Sequence, residues 1–193
     1  MYKLIDERST SYPKSSFYWP EYLKDLDTEC IRYLEIGSLH GGSLLFFHNM
    51  FGPTVRSTSI DPFSCCDNYP EYTNDHERNY EIYKINTEQL GVKNTHIRIP
   101  SYEILPLLQN NFYDVIYVDG NHNLSSVLED AVLSYRKLKP RGYLIMDDIN
   151  FGHDSDHVRT VDVFVHAYTK DKMDLVHVTT DPLGANQIIL RKK

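Results

Sequence analysis

The sequence predicts a single-domain, doubly wound α/β fold whose sheet has seven strands and is mainly parallel. Three observations lead there. From Arg32 onward, short apolar runs alternate with segments of helical period. The runs are continuously apolar rather than alternating in and out, as in strands covered on both faces. The chain has 193 residues, 41% hydrophobic and 24% charged, which suits one buried core.

Residues 1–28 are aromatic and polar around Phe17-Tyr18-Trp19-Pro20-Glu21-Tyr22-Leu23 and show no strong period, so they read as a cap or entry helix. Tyr33-Leu34-Glu35-Ile36 is the first strand, Leu44 to Met50 the following helix, and Val55 to Ile60 the second strand. Residues 64–79 are polar and rich in Asp, Tyr and His, and read as a lid over a ligand site. His96-Ile97-Arg98-Ile99 is expected as a third strand, Tyr102 to Leu108 as a short helix, and Asp114 to Val118 as a fourth strand. In Leu124 to Leu138, the residues Leu124, Val127, Leu128, Ala131, Val132, Tyr135 and Leu138 follow i, i+3, i+4, i+7 spacing, which marks an amphipathic helix. Pro140 and Gly142 end it before a fifth strand, Tyr143 to Met146. Val158 to Tyr168 reads as a last helix, and Leu175 to Val178 and Gln187 to Leu190 as closing strands.

Charge and composition exclude several function classes. With 20 Lys plus Arg against 27 Asp plus Glu, the net charge is −7, and the long-range field repels polyanions, so no nucleic-acid partner is expected. No run approaches the roughly 18 apolar residues of a transmembrane helix, and the start lacks a signal peptide's apolar stretch, so no membrane partner is expected either. Cys30, Cys65 and Cys66 suit neither a disulfide framework nor a zinc site, which points to the reducing cytoplasm.

In a doubly wound sheet, ligands bind beyond the carboxyl ends of the strands. Four features sit there. Glu35-Ile36-Gly37-Ser38-Leu39-His40-Gly41-Gly42-Ser43 joins the first strand to its helix, where glycines admit a ligand close to backbone and helix N–H groups face an anion. The spacing is neither GxGxxG nor a P-loop, and a tight turn without a ligand is the alternative. Asp61, at the end of the second strand, suits the hydroxyls of a ribose, or else caps an Asp-Pro turn. Asp119 leaves the fourth strand with His122 three residues on, where a lone histidine is more often structural than catalytic. Asp147-Asp148 ends the fifth strand; with Asp119 it forms an oxygen-rich set suited to Mg²⁺, although either aspartate could instead cap the next helix.

Taken in order, these stretches resemble the class I S-adenosylmethionine-dependent methyltransferases over about Tyr33 to Arg191. They are most similar to the branch of metal-dependent sugar and macrolide O-methyltransferases and cephalosporin hydroxylase-like proteins. The stretches that carry the resemblance are Glu35-Ile36-Gly37 with Gly41-Gly42-Ser43, Ile60-Asp61-Pro62-Phe63, Ser101 to Pro106, Val118 to His122, Met146-Asp147-Asp148 and Val158 to Asp162. The resemblance implies a Rossmann-like methyltransferase fold. It further implies that Gly37, Ser38, Gly42 and Ser43 line the methionine portion of S-adenosylmethionine, with Glu35 supporting the loop, Asp61 on the ribose and Ser101 beside the adenine. Asp119, Asp147 and Asp148 would hold Mg²⁺ or a similar cation beside the acceptor, and His122 would be the base.

That chemistry is an O-methyl transfer to a hydroxyl of a sugar or glycan. Two other readings stand beside it: a catechol-type O-methyltransferase, and a cofactor-binding protein of the same fold without turnover. The polar loop His153-Asp154-Ser155-Asp156-His157 reads as a border of the site rather than a metal centre. Little of the chain lies outside the core, so the acceptor is expected to be small or the pocket completed by another subunit. A homo-oligomeric contact is expected through Phe17, Tyr18, Trp19 and Tyr22.

Overall fold

The computed structural model describes residues 1–9, 14–27, 29–64, 75–149, 156–180 and 186–193. Its sheet has seven strands: β1 (Arg32–Ile36), β2 (Arg56–Ile60), β3 (Asn94–Ile97), β4 (Tyr113–Val118), β5 (Leu138–Met146), β6 (Met173–Thr180) and β7 (Asn186–Lys192). The order across the sheet is β3-β2-β1-β4-β5-β7-β6. The first five strands pair in parallel. The last, β7, inserts antiparallel between β5 and β6. The helices are α1 (Trp19–Tyr22), α2 (Gly42–Phe51), α3 (His76–Thr87), α4 (Ser101–Ile104), α5 (Leu124–Lys137) and α6 (Asp156–Thr169). None of the described helices is long and apolar enough to cross a membrane.

Strand side chains alternate between two buried layers, as the two-residue period of a strand requires. Leu34, Ile36, Ile116, Val118, Leu144, Met146, Ile188 and Leu190 face the layer that includes Val127 and Ala131 of α5 and Phe164 of α6. Tyr33, Val115, Tyr117, Tyr143, Ile145 and Ile189 face Trp19, Leu44, Leu45 and Phe47 on the other side. Both faces are therefore core, which explains why the strands read as apolar runs.

Three elements differ from the expectation. First, α3 replaces the last four residues of the expected lid, and its N-cap Asp75 accepts a hydrogen bond from the Arg78 N–H at 3.2 Å. Its buried face is Ile82, Tyr83, Asn86 and Thr87, too polar to register as an apolar stripe. Second, β5 begins at Leu138, with Lys139 to Gly142 inside the strand instead of a turn before it. Arg141 adopts a φ of 65° there. Third, β3 ends at Ile97, so Arg98 and Ile99 lie beyond it. Residues 65–74 of the expected lid, and His153 to Ser155 of the polar loop, lie outside the described residues.

The N-terminal segment is a strap over α2 and α3. Fully buried Asn86 uses its whole amide: Oδ1 accepts from the N–H groups of Ile5 (2.8 Å) and Asp6 (3.1 Å). Its Nδ2 donates to Ser9 Oγ and to the His40 carbonyl, each at 2.8 Å. Asn49 pairs both ways with the Tyr2 backbone, accepting at 2.6 Å and donating at 2.7 Å. Of the aromatics expected at an oligomer contact, Trp19 is instead fully buried and Tyr22 stacks on His177 at 3.8 Å, leaving Phe17 and Tyr18 exposed.

Gly37 is where the chain allows least change. Its φ is 82°, and a Cβ built on it would lie 1.9 Å from the Asp119 carbonyl oxygen. Gly52 has a φ of 80° and nothing within 4 Å of such a Cβ. With a ψ of −158° Gly52 sits in a region that is essentially glycine-only, so Gly52→Ala is expected to cost only that backbone strain, about 1–3 kcal/mol, with no added clash. Gly37→Ala should cost at least about 2 kcal/mol more, lowering the midpoint of thermal unfolding by a further 4 °C or so. Equal midpoints for the two variants would contradict the close packing of β1 on β4.

Candidate active site

The loop after β1 is held open by one carboxylate. Asp61 Oδ2 accepts from the N–H groups of Ser38 and Leu39, both at 2.9 Å, and Oδ1 accepts from the Phe63 N–H at 2.9 Å. The Gly37 N–H donates to the Ile60 carbonyl at 2.9 Å and the Asp119 N–H to the Ile36 carbonyl at 2.8 Å, so the ends of β1, β2 and β4 are tied together. Leu39, Phe63 and Asp148 have φ values of 41°, 47° and 51°. Left-handed non-glycine residues thus follow three of the strand ends that surround the site, as strained backbone does at functional sites. From Gly42 the loop enters α2, whose first-turn N–H groups face the same space.

The floor of this loop contains buried polar atoms without partners. Glu35 is fully buried; its Oε2 accepts from the Tyr33 hydroxyl at 2.7 Å, while its Oε1 has no hydrogen-bond partner. Ser38 Oγ is likewise buried and unpartnered. Buried polar atoms ordinarily find partners, so a polar ligand group fits this loop. Burial pushes the Glu35 carboxyl up to about 7, with the Tyr33 hydroxyl and the nearby Ser43 and Ser38 hydroxyls pulling the other way. The group expected on the adenine side, Ser101, opens α4 and hydrogen-bonds Asp130 of α5, whose carboxyl burial pushes up to about 6.

At the ends of β4 and β5 the carboxylates converge. Asp119, His122 and Asp148 each offer an atom within 4.8 Å of the others. His122 Nε2 lies 3.6 Å from Asp148 Oδ2. Asp147 turns away from this group. Its Oδ2 accepts from the Tyr117 hydroxyl and, at 2.7 Å, from Gln187 Nε2, while its Oδ1 accepts from the Asp148 N–H at 2.8 Å. The same Tyr117 hydroxyl lies 3.0 Å from Asp119 Oδ2. One hydroxyl hydrogen cannot serve two carboxylates at once, so the arrangement calls for a proton or a cation. Burial first, and then the charges of Asp147 and Asp148, hold the Asp119 carboxyl far above its ordinary range. Asp148 is raised by burial, and Asp147 by burial and by Asp148. Two carboxylates with an imidazole suit a hard or borderline divalent cation such as Mg²⁺ or Mn²⁺.

The structure therefore gathers Glu35, Gly37, Ser38, Gly42, Ser43 and Asp61 on one side of the strand ends, and Asp119, His122 and Asp148 beside them, with Asp147 behind. Sequence reasoning missed Tyr33, Tyr117 and Gln187. A signal for two of them exists: Tyr33-x-Glu35 and Tyr117-x-Asp119 each place a hydroxyl and a strand-end carboxylate on one sheet face.

The Glu35 carboxyl has a stability consequence. Its pKa is higher folded than unfolded, so the neutral form favours the fold below about pH 4.5, and that contribution is lost as pH rises through about 7. Removal of the charge by Glu35→Gln is expected to stabilise the ligand-free protein relative to wild type as pH goes from 5 to 8, by up to about 3 kcal/mol. Denaturant midpoints at the two pH values measure this; an unchanged difference would contradict a buried ionisable Glu35.

A family model described as a methyltransferase domain matches residues 34–149, which contain every residue of the site except Tyr33 and Gln187. An uncharacterized protein, R132, of Acanthamoeba polyphaga mimivirus is 29% identical over 123 residues, 61% of this chain and 51% of that protein. The chain thus matches about half the length of that curated relative. Among solved structures, the O-methyltransferase TomG of Streptomyces achromogenes, involved in tomaymycin synthesis and bound to SAM, has a TM-score of 0.67 at 18% identity, covering 95% of this chain and 81% of its own. An O-methyltransferase from Bacillus cereus in complex with SAH has a TM-score of 0.65 at 14% identity, covering 98% and 84%. Cofactor-bound Rv0187 from MTB has a TM-score of 0.69 at 16% identity, covering 97% and 82%. At these identities the likeness is one of fold, a Rossmann-like methyltransferase sheet. With the family model spanning more than half of its residues, the chain belongs to the methyltransferase domain family.

Proposed function

We propose that the protein is an S-adenosylmethionine-dependent O-methyltransferase that uses a divalent cation, Mg²⁺ or similar, and methylates a hydroxyl of a small sugar or glycan acceptor in the cytoplasm. The observation that carries this is the junction at Gly37, where the partner-poor loop after β1 touches the backbone of Asp119, a member of the carboxylate–imidazole cluster. S-adenosylmethionine supplies an electrophilic methyl group there, and the cation lowers the pKa of a hydroxyl brought to it.

The chain's own residues do the rest. Asp61 fixes the loop through the N–H groups of Ser38 and Leu39, fixes its own turn through that of Phe63, and keeps one lone pair, on Oδ1, for a ribose hydroxyl. Asp119 and Asp148 hold the cation, with Asp147 bracing them from behind. His122, at the mouth of the cluster, takes the acceptor proton as neutral imidazole. Methyl transfer then requires mainly alignment of the acceptor with the methyl carbon, which a rigid set of strand ends provides. Phe17 and Tyr18, at 65% and 41% exposure, remain available for contact with a second copy of the chain.

The 3.6 Å separation of His122 from Asp148 also favours a second reading, in which His122 is a cation ligand and the acceptor is a catechol-like diol that needs no separate base. His122→Ala separates the two. As base, its loss is expected to lower turnover by about 10²–10⁴-fold with Mn²⁺ affinity unchanged; as ligand, Mn²⁺ affinity falls with turnover, and vicinal diols outperform isolated hydroxyls in an acceptor screen.

Two measurements test the cofactor and the cation directly. Asp61→Ala strands three N–H groups and is expected to weaken S-adenosylhomocysteine binding by at least about tenfold in calorimetric titration; wild-type affinity would contradict the Asp61 clamp. Chelation of divalent cations is expected to abolish methyl transfer and readdition of Mg²⁺ to restore it. Full activity after exhaustive chelation would contradict the cation, and tight cofactor binding without transfer to any acceptor would indicate a binding protein of the same fold.

A further inference from the structure

Behind the carboxylates lies a chain of polar side chains that the reaction does not touch. The register of β5 on β7 pairs Met146 with Ile188, so Asp147 and Gln187 are the next pair outward and share a sheet face. Gln187 is fully buried, as is Trp19 beneath it. Trp19 Nε1 donates to Gln187 Oε1 at 2.9 Å. An indole N–H only donates, so it fixes which end of the Gln187 amide faces it. The amide nitrogen is thereby aimed at Asp147, where Nε2 donates to Oδ2 at 2.7 Å.

With the Tyr117 hydroxyl also directed at that oxygen, Asp147 Oδ2 is saturated from the protein interior. Its Oδ1 accepts the N–H of Asp148, a residue held at a φ of 51°. Asp147 thus touches both carboxylates of the cluster indirectly: Asp119 through the shared Tyr117 hydroxyl, and Asp148 through its backbone. Were the Gln187 amide to turn over, its carbonyl would meet Asp147 and the brace would repel instead of hold.

We propose that Gln187, oriented by Trp19, is a positioning residue for the cation site: it locks Asp147 as an inner brace that aims Asp119 and Asp148 at a divalent cation. The inference rests on the divalent-cation reading of the Asp119, His122 and Asp148 cluster. It adds two residues outside that cluster, one of them from the N-terminal segment 168 positions away in sequence. Outer partners of ligating carboxylates commonly set metal affinity, and their removal costs about 10–100-fold.

The test uses the metal-free full chain with Mn²⁺ alone, counted by the electron paramagnetic resonance of the free ion, and with S-adenosylhomocysteine in a separate titration. Gln187→Leu is expected to weaken Mn²⁺ by about tenfold or more while leaving S-adenosylhomocysteine affinity within about twofold of wild type. Trp19→Phe keeps a ring in the core but removes the donor that orients the amide, and is expected to shift Mn²⁺ affinity in the same direction should Gln187→Leu fold poorly. Trp19 is the single tryptophan, so Mg²⁺ should change its emission in wild type and not in Gln187→Leu. Wild-type Mn²⁺ affinity in both variants would overturn the positioning role while leaving the cation in place. Parallel losses of Mn²⁺ and S-adenosylhomocysteine affinity in both variants would overturn it too, as a general structural effect. No Mn²⁺ uptake by wild type would overturn the cation reading and the positioning role together.

Discussion

The contact on which the rest depends is the approach of Gly37 to the backbone of Asp119 and Gly120. No other residue type fits there, because a Cβ would fall inside the van der Waals radius of a carbonyl oxygen. That approach draws the ends of β1 and β4 together and leaves the loop after β1 beside the carboxylates after β4 and β5. A wider gap would leave a glycine-rich turn and an acidic cluster as two unrelated features. The close gap makes them one site.

A second constraint follows from the first. Packing strand ends this tightly buries Glu35 and half-buries Asp119, Asp147 and Asp148 near one another, and carboxylates drawn out of water repel and resist desolvation. The protein answers with aimed donors: Tyr33 for Glu35, Tyr117 and Gln187 for Asp147, and the Asp148 N–H. These donors are too few for all the oxygens. Glu35 Oε1 on one side has no partner, and on the other Asp119, His122 and Asp148 converge; these are the places where donor or positive groups of ligands belong. Such residual charge costs stability, and sites that bind strongly charged ligands commonly carry that cost.

Much of this was readable from the chain. The sheet and the amphipathic helix Leu124–Lys137 followed from apolar periodicity, and the strand-end position of Asp61, Asp119, Asp147 and Asp148 followed from the sheet. The helix His76–Thr87 was not readable, because Tyr83, Asn86 and Thr87 bury polar groups that are satisfied only in the folded chain. Pro140 and Gly142 read as a break, yet the strand Leu138–Met146, an interior strand of the sheet, runs through them. The different orientations of Asp147 and Asp148 were hidden for a similar reason. Asp147 Oδ2 accepts from Gln187, which the antiparallel insertion of the last strand brings to the site, and Gln187 in turn accepts from Trp19 of the N-terminal segment.

We propose that cofactor and cation share one site across the Gly37 junction. The most direct measurement is the nuclear magnetic resonance of S-adenosylmethionine carrying a ¹³C-labelled methyl group, bound to the protein with and without Mn²⁺. A shared site requires strong paramagnetic broadening of the methyl resonance in wild type, and its loss when Asp119 and Asp148 are both replaced by Asn. A bound methyl resonance that stays sharp with saturating Mn²⁺ would contradict the account.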